Sequence, residues 1–237
     1  KSRINGWLKI DSGLGRCGLN LDQKDEIFEL ANTINSSKFI HLQGLLTHAG
    51  HTYRANKPDQ IIKIYEKSIE DLNSIRSFPS EELGCNLKIS VGDTPSASIV
   101  EYFGQVDELR PGNFLFYDVQ QYVANVCQLE DIAVCVACPV VAIHTNNNEV
   151  VVYGGAIHLS KDSHRWGDQA QAYGLVTFPT KDGWENKIHG YVKSLSQEHG
   201  VLVFPNGIPE TLKIGSLTCI LPAHSCLTVQ AMREFMN

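Results

Sequence analysis

Asn86-Leu87-Lys88-Ile89-Ser90-Val91-Gly92-Asp93-Thr94-Pro95-Ser96 decides the fold. The alternating start, residues 86–90, reads as a strand. Gly92 permits a tight turn, Thr94 reads as a helix cap, and Pro95 suits the first helical position. A strand running through a turn into a helix is the unit of a parallel sheet. Its exposed N–H groups at a positive helix end also make an anion site, though an ordinary capped helix has the same sequence.

The pattern repeats outward from this stretch. Residues 7–11 read as a strand stopped by Gly13 and Gly15. A helix capped by Asp22 follows, with Ile27, Leu30, Ala31 and Ile34 at helical spacing. Residues 43–48 give the next strand, and Ile61, Ile62, Tyr65, Ile69, Leu72 and Ile75 hold one face of a longer helix. Residues 113–117 read as a fourth strand. A flat doubly wound sheet and part of a (β/α)8 barrel both satisfy this series. Four units are about half a barrel and would leave open edges. After about Asp131 the texture changes: residues 132–143 are a long apolar β run, and short strands punctuated by Gly and Pro follow. Two domains are expected, an α/β one over 1–125 and a mostly β one over 126–237.

Composition sets bounds. The chain has 237 residues, 43% hydrophobic and 19% charged, with a formal net charge of -6. A mildly acidic chain without a basic run is a poor partner for nucleic acid or an anionic membrane. The apolar stretches are strand-length, so no transmembrane helix is expected, and no charged-then-apolar leader is visible. The seven cysteines are scattered and odd in number, which fits reduced thiols in a cytoplasm. The chain starts at Lys1 inside a near-immediate strand and stops at Asn237 without a closing turn, as a fragment of a longer protein would.

Several stretches carry chemistry. Leu221-Pro222-Ala223-His224-Ser225-Cys226 follows a strand, and positions i and i+2 of extended chain share a face, so His224 and Cys226 can grip one metal ion. Two ligands leave a site open, as catalysis requires and a structural zinc site does not. Asp11-Ser12-Gly13-Leu14-Gly15-Arg16 ends a strand, and Arg16 suits either an anionic cofactor group or a surface ion pair. Thr47-His48-Ala49-Gly50-His51-Thr52-Tyr53 ends another, where His48 and His51 can move protons or serve packing. In Glu108-Leu109-Arg110-Pro111-Gly112-Asn113, Gly112 lets backbone approach a ligand or simply turns the chain. Cys135 and Cys138 have C-x-x-C spacing inside an apolar β run and read as buried thiols.

The ordered set resembles a known family. Residues 7–18 resemble the KxDTGxxRxG segment of the alanine racemase type barrel. Residues 47–53, 90–96, 109–113, 154–162, 198–200 and 222–226 follow in the order of its D-serine dehydratase and D-threonine aldolase branch. The resemblance implies a fold-type III enzyme using pyridoxal 5'-phosphate and Zn2+: the C-terminal part of a barrel holding the cofactor, then a β domain supplying the metal. It implies that Thr94, Gly112 and Asn113 bind the phosphate, that Tyr53 contacts the cofactor, and that Arg16 and Arg110 lie near its ring. His224 and Cys226 match the zinc pair of the dehydratases, whereas the aldolases carry a carboxylate in place of Cys226. The implied reaction is elimination from a β-hydroxy D-amino acid such as D-serine, giving a keto acid and ammonia. A D-threonine aldolase, an amino acid racemase and a non-catalytic cofactor-binding protein are the alternatives. The family's Schiff-base lysine has no counterpart here; Lys9 is not its equivalent, so the chain alone is expected to be inactive. Leu46 stands where relatives often have tyrosine, and Ala223 where the dehydratases often have asparagine. A homodimer is implied as well.

Overall fold

The structure, a computed structural model, describes residues 3–55 and 57–235. The chain divides into two compact units, Lys1–Phe114 and Leu115–Asn237.

The first unit is a five-stranded parallel sheet with helices. Its strands are β1 (Ile4–Asp11), β2 (Leu19–Asn20), β3 (Ile40–Thr47), β4 (Lys88–Val91) and β5 (Glu108–Leu109). They lie in the order β2-β1-β3-β4-β5, each neighbouring pair parallel. Three helices, α1 (Lys24–Asn35), α2 (Pro58–Leu83) and α3 (Thr94–Ile99), connect them. Ile10, Leu45 and Ile89 from the strands meet Ile27 and Ala31 of α1 and Leu72 and Ile75 of α2 in one core. Tyr65 joins that core because its hydroxyl donates to the Phe103 carbonyl at 2.7 Å, satisfying the one polar atom it carries inside. α2 starts with Pro58 and ends at Gly84 in the left-handed conformation, φ 59°.

Three local expectations change. Gln23, not Asp22, precedes α1, and its side-chain oxygen accepts the Asn20 N–H at 2.8 Å. Leu30 falls at the margin of the α1 face and is 41% exposed. Residues 113–117 form turns instead of a fourth strand, and the chain pairs earlier, at β5. Pro111 and Gly112 break the extension, the Asn113 N–H turns to the Thr94 hydroxyl, and Tyr117 has φ 47°.

The second unit begins with α4 (Val119–Val123) and is built on β6 (Val136–His144), β7 (Glu149–Tyr153), α5 (Ala156–Leu159), β8 (His164–Trp166), β9 (Gln169–Ala172), β10 (Gly174–Thr177), β11 (Pro179–Thr180), β12 (Gly183–Trp184), β13 (Gly190–Leu195), β14 (His199–Val203) and β15 (Leu217–Pro222). Six strands close into an antiparallel barrel in the order β10-β13-β14-β7-β6-β15. Closure removes the unpaired edges of an open sheet. Val140, Val150, Val152, Leu202, Phe204 and Ile220 fill the barrel. Ile132, expected inside the β run, packs instead with Val119, Leu175 and Leu221, and the strand starts at Val136. Cys138 is fully buried, and burial pushes its thiol up to about 12; Cys135 is half-buried and pushed up by a hydrogen bond with the Cys219 thiol and by burial. Among the described residues no cysteine forms a disulfide, and no helix is long and apolar enough to cross a membrane. A final helix, α6 (Ser225–Met232), follows β15.

Candidate active site

In the first unit the candidate residues gather at the C-terminal ends of parallel strands, where open α/β sheets and (β/α)8 barrels place ligands. α3 is capped by Asp93, not by Thr94: the carboxylate accepts the Ser96 N–H at 2.7 Å. An acid is a stronger cap than a hydroxyl at a positive helix end, and Thr52 steadies it with a 2.9 Å bond. Thr94 is thereby freed for other partners and becomes the first helical residue, ahead of Pro95. Its N–H donates to the Tyr53 hydroxyl at 3.2 Å, and its own hydroxyl accepts the Asn113 N–H at 2.9 Å. Tyr53, Thr94 and Asn113, far apart in sequence, are thus one hydrogen-bonded group.

One feature leaves room there for a small anion, and it is not at Ser96. The Ser96 hydroxyl at the first turn of α3 has no hydrogen-bond partner among the described residues, but the gap it lines is too small for a water. A Cβ at Gly112 would meet nothing within 4 Å, so packing does not demand glycine at that position. The residues present therefore fit a phosphate.

The two arginines behave differently. Arg110 reaches back across the sheet: its guanidinium donates to the Thr47 carbonyl at 2.6 Å and the Ser90 hydroxyl at 2.7 Å, with Glu108 3.5 Å away. Burial lowers its pKa, and Glu108 opposes the shift. Arg16 is exposed, and it is its backbone N–H that donates to the Asp11 carboxylate, at 2.9 Å. Asp11 also accepts from Gly13 and Gly15. Burial raises the Asp11 pKa, but these backbone donors outweigh it and hold the carboxyl below its ordinary value.

His48 follows β3, and its Nδ1 bonds the Gly92 carbonyl. A carbonyl only accepts, so that nitrogen carries the proton and Nε2 does not. Burial lowers the His48 pKa; the Gly92 bond opposes it, and the Arg16 charge adds to the lowering. The ring is 6.3 Å from that of Tyr53. His51 lies against Gly13, and its buried Nδ1 has no partner among the described residues.

In the second unit, His224 and Cys226 do not share the face of a strand. The strand stops at Pro222; His224 is the extended residue before α6 (φ -138°, ψ 100°), and Cys226 lies in the first helical turn. Pro222 ends the β15 ladder because it has no N–H to give. The loop is pinned by Ser225, fully buried, whose hydroxyl donates to the Tyr117 carbonyl at 2.5 Å and whose N–H donates to Asp118 at 3.3 Å. His224 Nδ1 lies 2.6 Å from an Asp162 carboxylate oxygen. Burial raises the Cys226 thiol pKa, with Asp118 adding to it. Among the described residues no group of three or more His, Cys, Asp or Glu stands ready for a metal. The pair is thus an incomplete set, though one imidazole and one thiol are the ligand chemistry zinc takes.

Three residues that matter were not assigned roles from the sequence. Asp93 stands in the turn directly before Thr94, the residue whose type and place read as the cap. Asp162 ends the segment 154–162 with no partner visible in sequence, because the residue it meets is 62 positions away. Ser225 was read only as the spacer between two ligands.

A parallel strand–helix unit followed by a six-stranded antiparallel barrel is the layout of the alanine racemase-like fold. Residues 1–120 match the "Alanine racemase, N-terminal domain" family, and residues 133–237 match the "Putative serine dehydratase domain" family. The chain belongs to the alanine racemase N-terminal domain family. It is 30% identical over 246 residues to a D-serine dehydratase of Dictyostelium discoideum, covering 97% of this chain and 59% of the relative. It is 32% identical over 241 residues to a D-serine dehydratase of Schizosaccharomyces pombe, covering 95% and 55%. A solved D-threo-3-hydroxyaspartate dehydratase from Delftia sp. superposes with a TM-score of 0.83 at 25% identity, over 96% of this chain and 60% of that one. A cysteine-to-alanine mutant of that protein is described as metal-free, and a histidine-to-alanine mutant two positions earlier has also been solved. The chain spans little more than half the length of the curated relatives it matches.

Proposed function

We propose that this chain is part of a lyase dependent on pyridoxal 5'-phosphate and zinc that removes water from a β-hydroxy D-amino acid, as in the conversion of D-serine to pyruvate and ammonia. The observation that carries the reading is the His224-x-Cys226 loop, pinned by Ser225 and supported by Asp162. The spacing equals that of the histidine and cysteine altered in the Delftia mutants, one of them metal-free. The parallel unit is taken as the later part of a (β/α)8 barrel, and the domains as 1–125 and 126–237.

In this reading Thr94, Gly112 and Asn113 hold the cofactor phosphate, and Tyr53, bonded to the Thr94 N–H, contacts the cofactor. Arg16 and Arg110 supply positive charge beside the cofactor; the fixed guanidinium of Arg110 also braces the strand ends that carry the cradle. His224 and Cys226 hold the zinc. The cofactor supplies an electron sink, and the metal a Lewis acid at the departing hydroxyl. Burial favours the neutral form of His48, and with the proton on Nδ1 its Nε2 lone pair faces proton transfer. His51 is the second candidate for proton transfer. The alternatives remain a D-threonine aldolase, an amino acid racemase and a non-catalytic cofactor-binding protein. The thiol of Cys226 favours the dehydratase over the aldolase, since the aldolase branch carries a carboxylate there. A cytoplasmic homodimer acting on a small molecule completes the proposal.

Product analysis on the intact protein tests it. D-serine is expected to give pyruvate and ammonia. Glycine and an aldehyde from D-threonine, with no pyruvate from D-serine, would replace the dehydratase with the aldolase.

A further inference from the structure

We propose that Asp162 is a positioning residue for His224, one that fixes which ring nitrogen is offered to a metal; the proposal rests on the metal reading above. An imidazole has two nitrogens, and only the one without a proton ligates. The Asp162 carboxylate lies 2.6 Å from Nδ1 and can only accept, so in the neutral ring Nδ1 carries the proton and Nε2 the lone pair. No described residue bonds Nε2.

The backbone supports this assignment independently. Ser160 has φ 67° and ψ 178°, a region that side-chain-bearing residues rarely enter and that costs roughly 1–3 kcal/mol. It directly follows α5, and its hydroxyl accepts the Asp162 N–H at 3.2 Å. The strained turn therefore delivers Asp162. Just before α5, a Cβ at Gly155 would run into the backbone of Gln197 and Glu198, so the approach to that turn is also fixed. On the facing side Tyr117, with φ 47°, presents the carbonyl that Ser225 bonds. Among the described residues, two of the four non-glycine positions with positive φ thus hold the loop of His224. Strain persists only where surroundings over-determine it, and such positions cluster at functional sites. A carboxylate behind a ligating histidine sets its tautomer and raises its basicity, and losing such a partner costs about 10–100-fold in metal affinity.

The test uses the intact protein and two readouts. Zinc affinity is measured by competition with a chromophoric chelator, and the His224 tautomer by imidazole 15N shifts in metal-free protein. Asp162→Ala is expected to weaken zinc about 10–100-fold and to shift His224 toward the Nε2–H form. Asp162→Asn keeps an acceptor for Nδ1–H and is expected to hold the tautomer while weakening zinc less. If Asp162→Ala leaves affinity within twofold and the tautomer unmoved while His224→Ala and Cys226→Ala abolish binding, the positioning role is wrong and the metal reading stands. If the unaltered protein binds no zinc, the metal reading fails, and the positioning role falls with it.

Discussion

Replacing Arg110 by methionine removes a clamp that ties three strand ends together. The guanidinium bonds the last carbonyl of β3, at Thr47, and the Ser90 hydroxyl of β4, at 2.6 and 2.7 Å, from its seat just past β5. Charge-assisted hydrogen bonds contribute about 1.5–3 kcal/mol each. The side chain is 35% exposed, so the low end applies, and the 3.5 Å contact to Glu108 adds little. Two bonds then give about 2–3 kcal/mol, with methionine keeping most of the aliphatic packing. Hydrogen exchange of peptides covering β3 and β4 in the intact protein reads this locally. Protection is expected to fall about 30–140-fold, at 1.4 kcal/mol per factor of ten. Arg110→Lys keeps the charge but not the fork and is expected to lose about half as much free energy. Arg16→Ala, at an exposed side chain, is expected to change stability by less than about 0.5 kcal/mol. Protection in Arg110→Met within threefold of the unaltered protein would refute the clamp.

Other outcomes follow from the same structure. Thr94→Val deletes the acceptor of the Asn113 N–H and is expected to cost about 1–3 kcal/mol and weaken pyridoxal phosphate binding, whereas Thr94→Ser keeps both; unfolding and cofactor titration measure the two effects. His48 and His164 both have pKa values lowered by burial, so their neutral forms favour folding. That stability is fully present above the ordinary histidine value near 6.5 and is lost as pH falls through the lowered folded values, which unfolding across pH 4–8 will show. Phe204→Ala empties a fully buried position of the barrel core and is expected to cost about 3–5 kcal/mol in denaturant unfolding.

Much of this architecture was legible in sequence because it follows periodicity. The strands at 7–11, 43–48 and 86–90 and the apolar face of α2 were readable from alternation and helical spacing alone. The change to a β unit showed in the texture after Asp131. Local competition was harder to read. Thr94 and Asp93 both suit a cap, and only the packing of Thr52 against Asp93 decides between them. Residues 113–117 have strand-forming side chains, but Pro111 and the Thr94–Asn113 bond turn the chain first. His224 and Cys226 were found by residue type, yet their placement depended on where β15 ends, and Pro222 ends it. The Asp162–His224 contact was invisible because nothing in one sequence reports a pairing 62 residues apart.

Keto acid release from D-serine by the intact protein, before and after zinc is stripped by a chelator, bears most directly on the central claim. The account predicts that pyruvate forms, that stripping abolishes it, and that added zinc restores it in the unaltered protein but not in Cys226→Ala. Pyruvate formation at an undiminished rate without zinc, or in Cys226→Ala, would contradict it.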